Sequence, residues 1–445
     1  MSSRLRPRRY QTLLTAAAAI VAVLAMLAYL AFVVHFGVNV PFKDEWSSVS
    51  LYRSFAEGRL SLSGLWAQHN ENRLLFPNLL MLAFDRLSHF NTHTEMYGSA
   101  ALLLLALVVT GYLFARTAGC RMVWFLPAAL IVLGWLQYAV ALQGYAIALY
   151  LLLACLPLSL LALDGSRGRR WLFVVAVALA VIASYSSAQG LAVWLAGLVM
   201  LVVGGQRPSR CWVWLACGCA TVLIYLVDFQ ASAAGGGVGW AARHGLSSLH
   251  FLSLLLGGIL PASHEFKIGV AVQTGVGAIL LLLAVAAVVL GIWRRAARPQ
   301  LALPLALISF TLVIDLMITA GRAHEAAQAG AASSRYLMFN LWLFAGIWLA
   351  YATWLVQSRG FVIRALTVGL VALCLVQIGL SYHAGLVEGR STHRLREEAA
   401  HLLIDYRTAP APEVVRLVDP DYASFRSLAP FLASHRLTVF TGGGS

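Results

Sequence analysis

The sequence predicts an all-α polytopic membrane protein with about eleven transmembrane helices, and two observations support this class. Hydrophobic residues make up 60% of the 445 residues, charged residues make up only 11%, and the mean hydropathy is +0.79. A water-soluble chain of this length could not bury so much apolar surface. The apolar residues also form repeated runs of about 20 residues, which is the length that a helix needs to cross a bilayer.

The predicted spans are bounded by polar or charged segments, and the joints at 142 and 188 are very short. In chain order they are 13–34, 96–115, 122–141, 143–163, 171–187, 189–205, 211–229, 268–293, 301–320, 337–357 and 361–383.

Arginine is distributed unevenly over the connecting segments, which predicts the orientation. If the amino terminus is cytoplasmic, the inner side contains one acid, Asp164, and many arginines. These arginines lie within 4–9, 116–121, 167–170, 207–210, 294–298 and 359–364. The asymmetry follows the positive-inside rule and predicts an internal amino terminus and an external carboxyl terminus. The net charge of +14 therefore reflects topology, and we expect no nucleic-acid partner. The first span has no clear cleavage site, so we interpret it as an uncleaved anchor.

The longer polar segments then face outward, and the first of them begins with an unusual cluster of charge. "VPFKDEWSSV" (40–49) places Asp44, Glu45 and Trp46 directly after the first span. Helical spacing of Val49, Tyr52 and Phe55 in the next residues predicts a short amphipathic helix on the membrane surface. Such a helix would hold both carboxylates near the bilayer. The alternative is an interfacial Trp anchor with solvated acids.

A second polar cluster, "HNENR" (69–73), lies directly before the apolar stretch "LLFPNLLMLAF". Pro77 fits the first turn of a helix, so these polar residues could simply cap it. His, Glu and Arg within five residues exceed the needs of a cap, which makes His69, Asn70, Glu71 and Arg73 candidates for substrate binding.

The two short joints carry polar side chains at the same predicted side of the membrane. One has Gln137, Tyr138, Gln143 and Tyr145, and the other has Tyr185, Ser186, Ser187, Gln189 and Gly190. Polar groups in hydrocarbon need partners, so these residues are expected to face a wet cavity or to join helices to one another.

Asp315 lies inside the ninth predicted span. An acid within the membrane is costly, so Asp315 either contacts substrate or pairs with an arginine. Next to that span, Arg322, His324 and the run Ser333, Ser334, Arg335 and Tyr336 precede the tenth span. The guanidinium fork of Arg322 or Arg335 could bind phosphate at the membrane surface, the alternative being a snorkelling anchor.

These motifs together resemble the C-type membrane glycosyltransferases (GT-C fold), a superfamily that includes the protein mannosyltransferases and the aminoarabinose transferases. The resemblance rests on the early span, the "DE" and "HNENRLLFP" segments of the first outer loop and the Arg335-Tyr336 pair. Uncharacterised bacterial members with a "DEW…HNENR" loop and a Ser-x-x-Gln-Gly-Leu-x-x-Trp turn, here Ser186 to Trp194, are more closely similar.

The resemblance implies an enzyme that moves a sugar from a polyprenyl-phosphate carrier to a glycan, lipid or protein acceptor. The reaction would occur at the outer (periplasmic) face of the bacterial cytoplasmic membrane. Asp44 matches the catalytic acid of the family and Glu45 its neighbour. "HNENR" occupies the place of a His-Pro-Pro-like segment, and the missing Pro-Pro leaves the roles of His69 and Glu71 open.

The residues suit this chemistry. A carboxylate half-buried at the membrane surface can have its pKa raised, and it then serves as the base for the acceptor hydroxyl. An Arg can neutralise the departing phosphate, so we expect no metal and no cofactor.

We divide the chain into a transmembrane catalytic bundle, 1–383, and a small outer tail, 384–445. The first stripe of apolar residues in the tail contains Leu395, Ala399, Leu402, Leu403 and Tyr406. The second contains Tyr422, Phe425, Leu428, Phe431 and Leu432. They predict two helices that serve as a lid or an acceptor guide.

Two other functions fit the same class of chain. A flippase for polyprenyl-linked glycans would have charges scattered through several spans. An O-antigen ligase or acyltransferase would carry its key Arg and His residues in a large late loop, whereas the richest loop here is the first.

The orientation is testable with reporter fusions. A reporter fused after Gly64 is expected to be exported, and one fused after Arg169 to stay cytoplasmic, because the arginines hold their segments inside. Alkaline phosphatase and green fluorescent protein activities in whole cells measure this, and the reverse pattern would refute the topology.

Overall fold

The computed structural model describes residues 5–118, 122–230, 236–261, 268–293, 298–325, 334–357 and 360–442. Of the residues named above, Ser333 lies outside the described residues. So do several arginines of the inner segments: Arg4, Arg121, Arg294, Arg295 and Arg359.

The described chain is almost entirely helical, which confirms the predicted all-α class. The helices are α1 (Leu5–Phe36), α2 (Glu45–Ala56), α3 (Leu62–Trp66), α4 (Leu75–Ser88), α5 (Thr92–Ala118), α6 (Leu126–Val132), α7 (Tyr138–Ala141), α8 (Ile147–Gly165), α9 (Trp171–Ser184), α10 (Ala192–Val203), α11 (Pro208–Tyr225), α12 (Val238–Arg243), α13 (Gly245–Gly257), α14 (Val270–Trp293), α15 (Arg298–Arg322), α16 (Ser334–Gln357), α17 (Phe361–Ile404), α18 (Ala411–Leu417) and α19 (Tyr422–Ser434). Two short antiparallel strands, β1 (Gln68–His69) and β2 (Asn72–Arg73), lie between α3 and α4.

Eight of the described helical segments are long and apolar enough to cross a membrane, which confirms the polytopic membrane class. They are Leu13–Phe36, Thr92–Ala118, Met122–Ala141, Gly144–Gly165, Val270–Gly291, Pro299–Arg322, Arg335–Val356 and Phe361–Ile404. Two shorter apolar helices, Trp171–Ser184 and Ala188–Val203, coincide with the predicted spans 171–187 and 189–205. The total of eleven spans stays a prediction.

Both short joints between spans are made by 3₁₀ turns, Gly144–Ala146 and Ala188–Leu191. In the second turn the chain returns so closely that a Cβ on Gly190 would lie 1.8 Å from the carbonyl oxygen of Ala183. Only glycine fits there, so the absence of a side chain at Gly190 allows the turn between α9 and α10 to pack directly against the end of α9.

The two ends of the bundle differ in charge. At one end Asp164 pairs with Arg116 (Nε–Oδ2 2.9 Å) and lies 3.8 Å from Arg167. α8 begins at the opposite end and runs for 19 residues, about 28 Å, close to the thickness of the hydrocarbon core. We call the end with Asp164 the arginine-rich end. The end at which α8 begins is called the cavity end, after the cavity described below.

The tail is continuous with the bundle, because α17 is one helix of 44 residues that runs through the division predicted at 383/384. Beyond it, α18 and α19 fold back onto α2. The indole of Trp46 meets the ring of Phe425 at 5.4 Å between centroids, and the amide of Lys43 donates to the carbonyl of Val418 at 2.8 Å.

The predicted amphipathic helix is present as α2, and two of the three residues of its apolar stripe are covered by protein. Val49 is fully buried and Tyr52 nearly so, and they belong to one core with the second apolar stripe of the tail. Two amphipathic faces bury each other here, while Phe55, the third residue of the stripe, stays 40% exposed.

Candidate active site

A cavity of about 150 Å³ opens at the cavity end of the bundle, where the segment between α1 and α5 meets both short joints. Its polar lining consists of Asp44, His69, Asn70, Glu71, Asn72, Gln143, Tyr145, Ser187, Gln189, Arg322, Arg335 and Tyr336. Its apolar lining consists of Leu74, Val140, Ala146, Ala148, Leu149 and Phe339. Seven of the ten predicted site residues therefore line one cavity, and Glu45, Arg73 and Asp315 do not.

Asp44 lies at the start of α2, and its carboxylate has no hydrogen-bond partner within the described residues. The preceding residue, Lys43, has a φ of +52° and turns the chain sharply into the helix. Asp44 occupies the N-cap position, yet its side chain makes no capping hydrogen bond, while its carbonyl accepts from the hydroxyl of Ser47 at 2.6 Å. The side chain is exposed rather than half-buried. The carboxylate is thus available to a molecule in the cavity.

Glu45 points the other way, into the protein, and is 1% exposed. One of its oxygens accepts the amide of Phe42 (2.7 Å) and the other accepts the amide of Tyr145 (3.0 Å). The carboxylate therefore joins the turn that carries Asp44 to the joint before α8. Adjacent residues at a helix start point to different sides, which separates the two acids of the "DE" pair.

The "HNENR" segment forms a tight β-hairpin rather than a helix cap. Gln68 pairs with Arg73 and His69 with Asn72, which leaves Asn70 and Glu71 as the two-residue turn. Asn70 has a φ of +51°, a left-handed conformation that asparagine tolerates better than most residues. The hairpin places its tip, together with His69 and Asn72, in the cavity wall.

Arg73 fastens this hairpin from behind, which is why it does not line the cavity. Its guanidinium donates to the carbonyls of Trp66 (3.1 Å) and Val227 and lies 5.3 Å from the Trp66 ring. The hydroxyl of Tyr225 accepts the Arg73 amide and donates to the Glu71 carbonyl at 2.6 Å. Arg73 is only 3% exposed, so its position is that of a residue that supports the hairpin.

Asn72 connects the hairpin to the second short joint. Its Oδ1 accepts the hydroxyl of Ser187 and the amide of Ala188, both at 2.9 Å. The polar joints thus face the cavity, as the sequence predicts for Gln143, Tyr145, Ser187 and Gln189. Gln137 instead points into the bundle, where it donates to the carbonyl of Val132 at 2.7 Å and accepts from the hydroxyl of Tyr150 at 3.3 Å.

The cationic side of the cavity comes from α15 and α16. Arg322 pairs with Glu325 (Nη1–Oε1 2.7 Å), which partly neutralises its charge. Arg335 is exposed and lies 4.9 Å from the ring of Tyr336. Among the cations of the described lining, Arg335 is therefore the one whose charge no carboxylate within the described residues offsets.

Asp315 lies two helical turns from Arg322 along α15 and is fully buried. Neither carboxylate oxygen has a hydrogen-bond partner among the described residues. The sequence predicts that Asp315 either pairs with an arginine or contacts substrate. The described residues contain no arginine that pairs with it.

Sequence reasoning missed three charged residues that surround Glu45, namely Asp85, Glu95 and Arg396, all at most 2% exposed. Burial and then the Glu45 carboxylate raise the pKa of Asp85 to about 8. Burial also raises the pKa of Glu45, while the charge of Arg396 and the backbone hydrogen bonds oppose that rise. A signal existed in the tail, because Arg396 falls within the helical stripe formed by Ala399 and Leu403.

Comparison with known proteins gives one structural likeness. No family model matches the chain, and no curated protein matches it. The fold resembles the crystal structure of ArnT from Cupriavidus metallidurans bound to undecaprenyl phosphate, with 15% sequence identity, a TM-score of 0.44, 94% of this chain covered and 87% of that chain covered. Similarity at this level does not assign a function to the site.

The buried position of Asp85 predicts a pH dependence of stability. An acid whose pKa rises from 3.8 unfolded to about 8 folded holds its proton only in the folded state between these values. Its contribution therefore falls by up to about 1.4 kcal/mol per unit as the pH rises towards 8, and is constant above it. Apparent Tm in detergent from pH 5 to 9 should drop less steeply for Asp85→Asn than for the unsubstituted protein. Parallel curves would contradict the prediction.

Proposed function

We propose that this protein is a glycosyltransferase that moves a sugar from a polyprenyl-phosphate carrier to an acceptor hydroxyl at the external face of the membrane. The observation that carries the proposal is that one cavity at one end of the bundle is lined by Asp44 and by two guanidinium groups, Arg322 and Arg335. The resemblance of the "DEW", "HNENR" and Arg-Tyr motifs to C-type glycosyltransferases supports the same activity.

In the proposed reaction Asp44 acts as the general base. Its carboxylate takes the proton of the acceptor hydroxyl while the acceptor oxygen forms a bond to the anomeric carbon. The bond from that carbon to the phosphate oxygen breaks, and the phosphate leaves with the electron pair. Arg335, with Arg322 beside it, stabilises the charge that develops on the phosphate.

The cavity also suits the rest of the donor. Hydroxyl, amide and imidazole groups from the hairpin and the two joints can hydrogen-bond a sugar, and the Tyr145 and Tyr336 rings can pack against its faces. The apolar side chains of the lining, Val140, Leu149 and Phe339, would contact the first isoprene units of the carrier. The arginine-rich opposite end supports an external orientation for the cavity by the positive-inside rule.

A flippase remains the alternative function, and the charge distribution argues against it. Its transport route would need charged groups along several spans, whereas the charged residues of the described bundle lie at its two ends, apart from Asp315. Asp315 is buried without a hydrogen-bond partner for its carboxylate among the described residues, and it does not line the cavity.

The proposal is tested by what a deletion strain lacks and by what the purified protein does. Mass spectrometry of the envelope glycans and lipids of the deletion strain should show one missing sugar, which identifies the donor. Purified protein in nanodiscs, given the corresponding undecaprenyl-phosphate sugar and the deletion-strain lipid or glycan fraction, should then release undecaprenyl phosphate. An unchanged envelope profile together with no release would refute the function.

Asp44→Asn is expected to lower kcat at least about 100-fold, because an amide keeps the shape of the side chain but cannot accept the proton. Binding of undecaprenyl phosphate, measured by native mass spectrometry, should be largely unchanged. Glu71→Gln is the matched comparison, since Glu71 is the other carboxylate in the lining. If Glu71→Gln is the inactive variant and Asp44→Asn works normally, the base is assigned to the wrong acid.

Arg335→Ala is expected to raise the KM for the polyprenyl donor about ten- to a hundredfold, which corresponds to the roughly 1.5–3 kcal/mol of a charge-assisted hydrogen bond. The KM for the acceptor should change little. Arg335→Lys should recover only part of the donor use, because an ammonium cannot copy the two-pronged guanidinium. Normal donor kinetics in Arg335→Ala would make Arg335 a snorkelling anchor and shift the assignment to Arg322.

A further inference from the structure

Four buried charged residues meet behind the cavity, each from a different helix. Glu45 comes from α2, Asp85 from α4, Glu95 from α5 and Arg396 from the tail portion of α17, and each is at most 2% exposed. Two of the carboxylates converge on one spot, since a Cβ built on Gly144 would lie 2.2 Å from Oε2 of Glu95 and 3.1 Å from Oε1 of Glu45. We call these four residues the rear cluster.

The rear cluster contains one permanent positive charge. Arginine keeps its proton in proteins, and a buried cluster of low dielectric is most stable when its charges nearly cancel. One ionised carboxylate then suffices. Glu45 is the best placed, because two backbone amides donate to its oxygens and favour the ionised form, whereas both oxygens of Asp85 lack a partner among the described residues.

Arg396 therefore lies near an ionised Glu45 without forming a direct hydrogen bond to it within the described residues. Nε and Nη1 of Arg396 have no hydrogen-bond partner among the described residues, and its guanidinium lies 5.0 Å from the ring of Phe42. Arg396 thus packs against Phe42, the residue whose backbone amide donates a hydrogen bond to Glu45. Its effect on Glu45 is carried by charge and by packing on Phe42.

Glu45 in turn fixes two parts of the cavity wall. Its hydrogen bonds hold Phe42, two residues before Asp44, and Tyr145, which itself lines the cavity. The tail reinforces this turn through the bond from the Lys43 amide to the Val418 carbonyl. None of the lining residues of the cavity belongs to the described tail, so the tail meets the site only from behind.

We propose that Arg396 is a positioning residue: from the tail it stabilises the buried Glu45 carboxylate and thereby holds Asp44 and Tyr145 in place for sugar transfer. This role rests on the proposed function, since it serves Asp44 as the base. The tail is then part of the catalytic apparatus and acts behind the cavity rather than as a lid over it.

Two variants separate charge from shape. Arg396→Gln removes the cation and should lower kcat about ten- to a hundredfold, because small displacements of a catalytic group have effects of this size. The KM for the donor should be nearly unchanged, since Arg335 is untouched. Arg396→Lys should restore most of kcat. Arg426→Gln, which removes an exposed tail arginine that bonds the carbonyls of Tyr406 and Arg407, is the control and should behave as the unsubstituted protein.

A double variant guards against simple misfolding. Arg396→Gln alone leaves Glu45 buried without its counter-charge, and the protein could fail to fold. Combining it with Glu45→Gln restores neutrality, so the double variant should fold while kcat stays as low as in Glu45→Gln alone. If the kcat losses of the two single variants multiply instead, Arg396 does not act through Glu45 and the proposal is overturned.

Hydrogen exchange supplies a readout that does not depend on turnover. Peptides covering Phe42 and Tyr145 should exchange faster in Arg396→Gln than in the unsubstituted protein, with Arg396→Lys and Arg426→Gln close to normal. This result would support the positioning role even if no sugar transfer is found, in which case the proposed function alone fails. Unchanged exchange at both amides, or normal kcat in Arg396→Gln, would overturn the inference.

Discussion

The carboxylate of Glu45, buried and bonded to the amides of Phe42 and Tyr145, is the interaction on which the geometry of the candidate site depends. It links two segments that are about a hundred residues apart in the chain. A carboxylate is well suited to this link, because its two oxygens can each accept an amide and charge makes both bonds stronger than neutral ones. The cost is a buried charge, which the rear cluster offsets with Arg396.

Strong side-chain hydrogen bonds of this kind also explain the arrangement of the cavity wall. Apolar spans cannot hold a polar loop by themselves, so each polar segment is tied by a few strong side-chain bonds. Arg73 and Tyr225 tie the hairpin to the end of α11, and Asn72 ties it to the second joint. These supports use up polar groups that would otherwise be candidates for substrate binding. The groups left free, Asp44 and Arg335 above all, are those that can act on a ligand.

The tail extends this principle to the carboxyl-terminal end of the chain. α17 carries helical structure beyond the bundle without a break, and α18 and α19 then cover α2. Burial of the two facing apolar stripes supplies the stabilisation, at roughly 25 cal/mol per Å² of apolar surface. The segment between α1 and α5 is thus held between the bundle and the tail, so three separate parts of the chain determine the position of Asp44.

The sequence by itself determined the membrane class, the helices and the segments that form the cavity wall. The length of an apolar run and the position of arginines are local properties that act directly on insertion into the bilayer. In a chain this hydrophobic, the few charged residues indicate which segments line the cavity. Tertiary structure alone decided which of those polar residues face the cavity. Asp44 and Glu45 are neighbours with identical chemistry, yet the turn at Lys43 directs one outward and the other to Tyr145 and Arg396. Such partners lie 100 and 351 residues away from Glu45 in the chain, and contacts at that separation leave no periodic trace in one sequence.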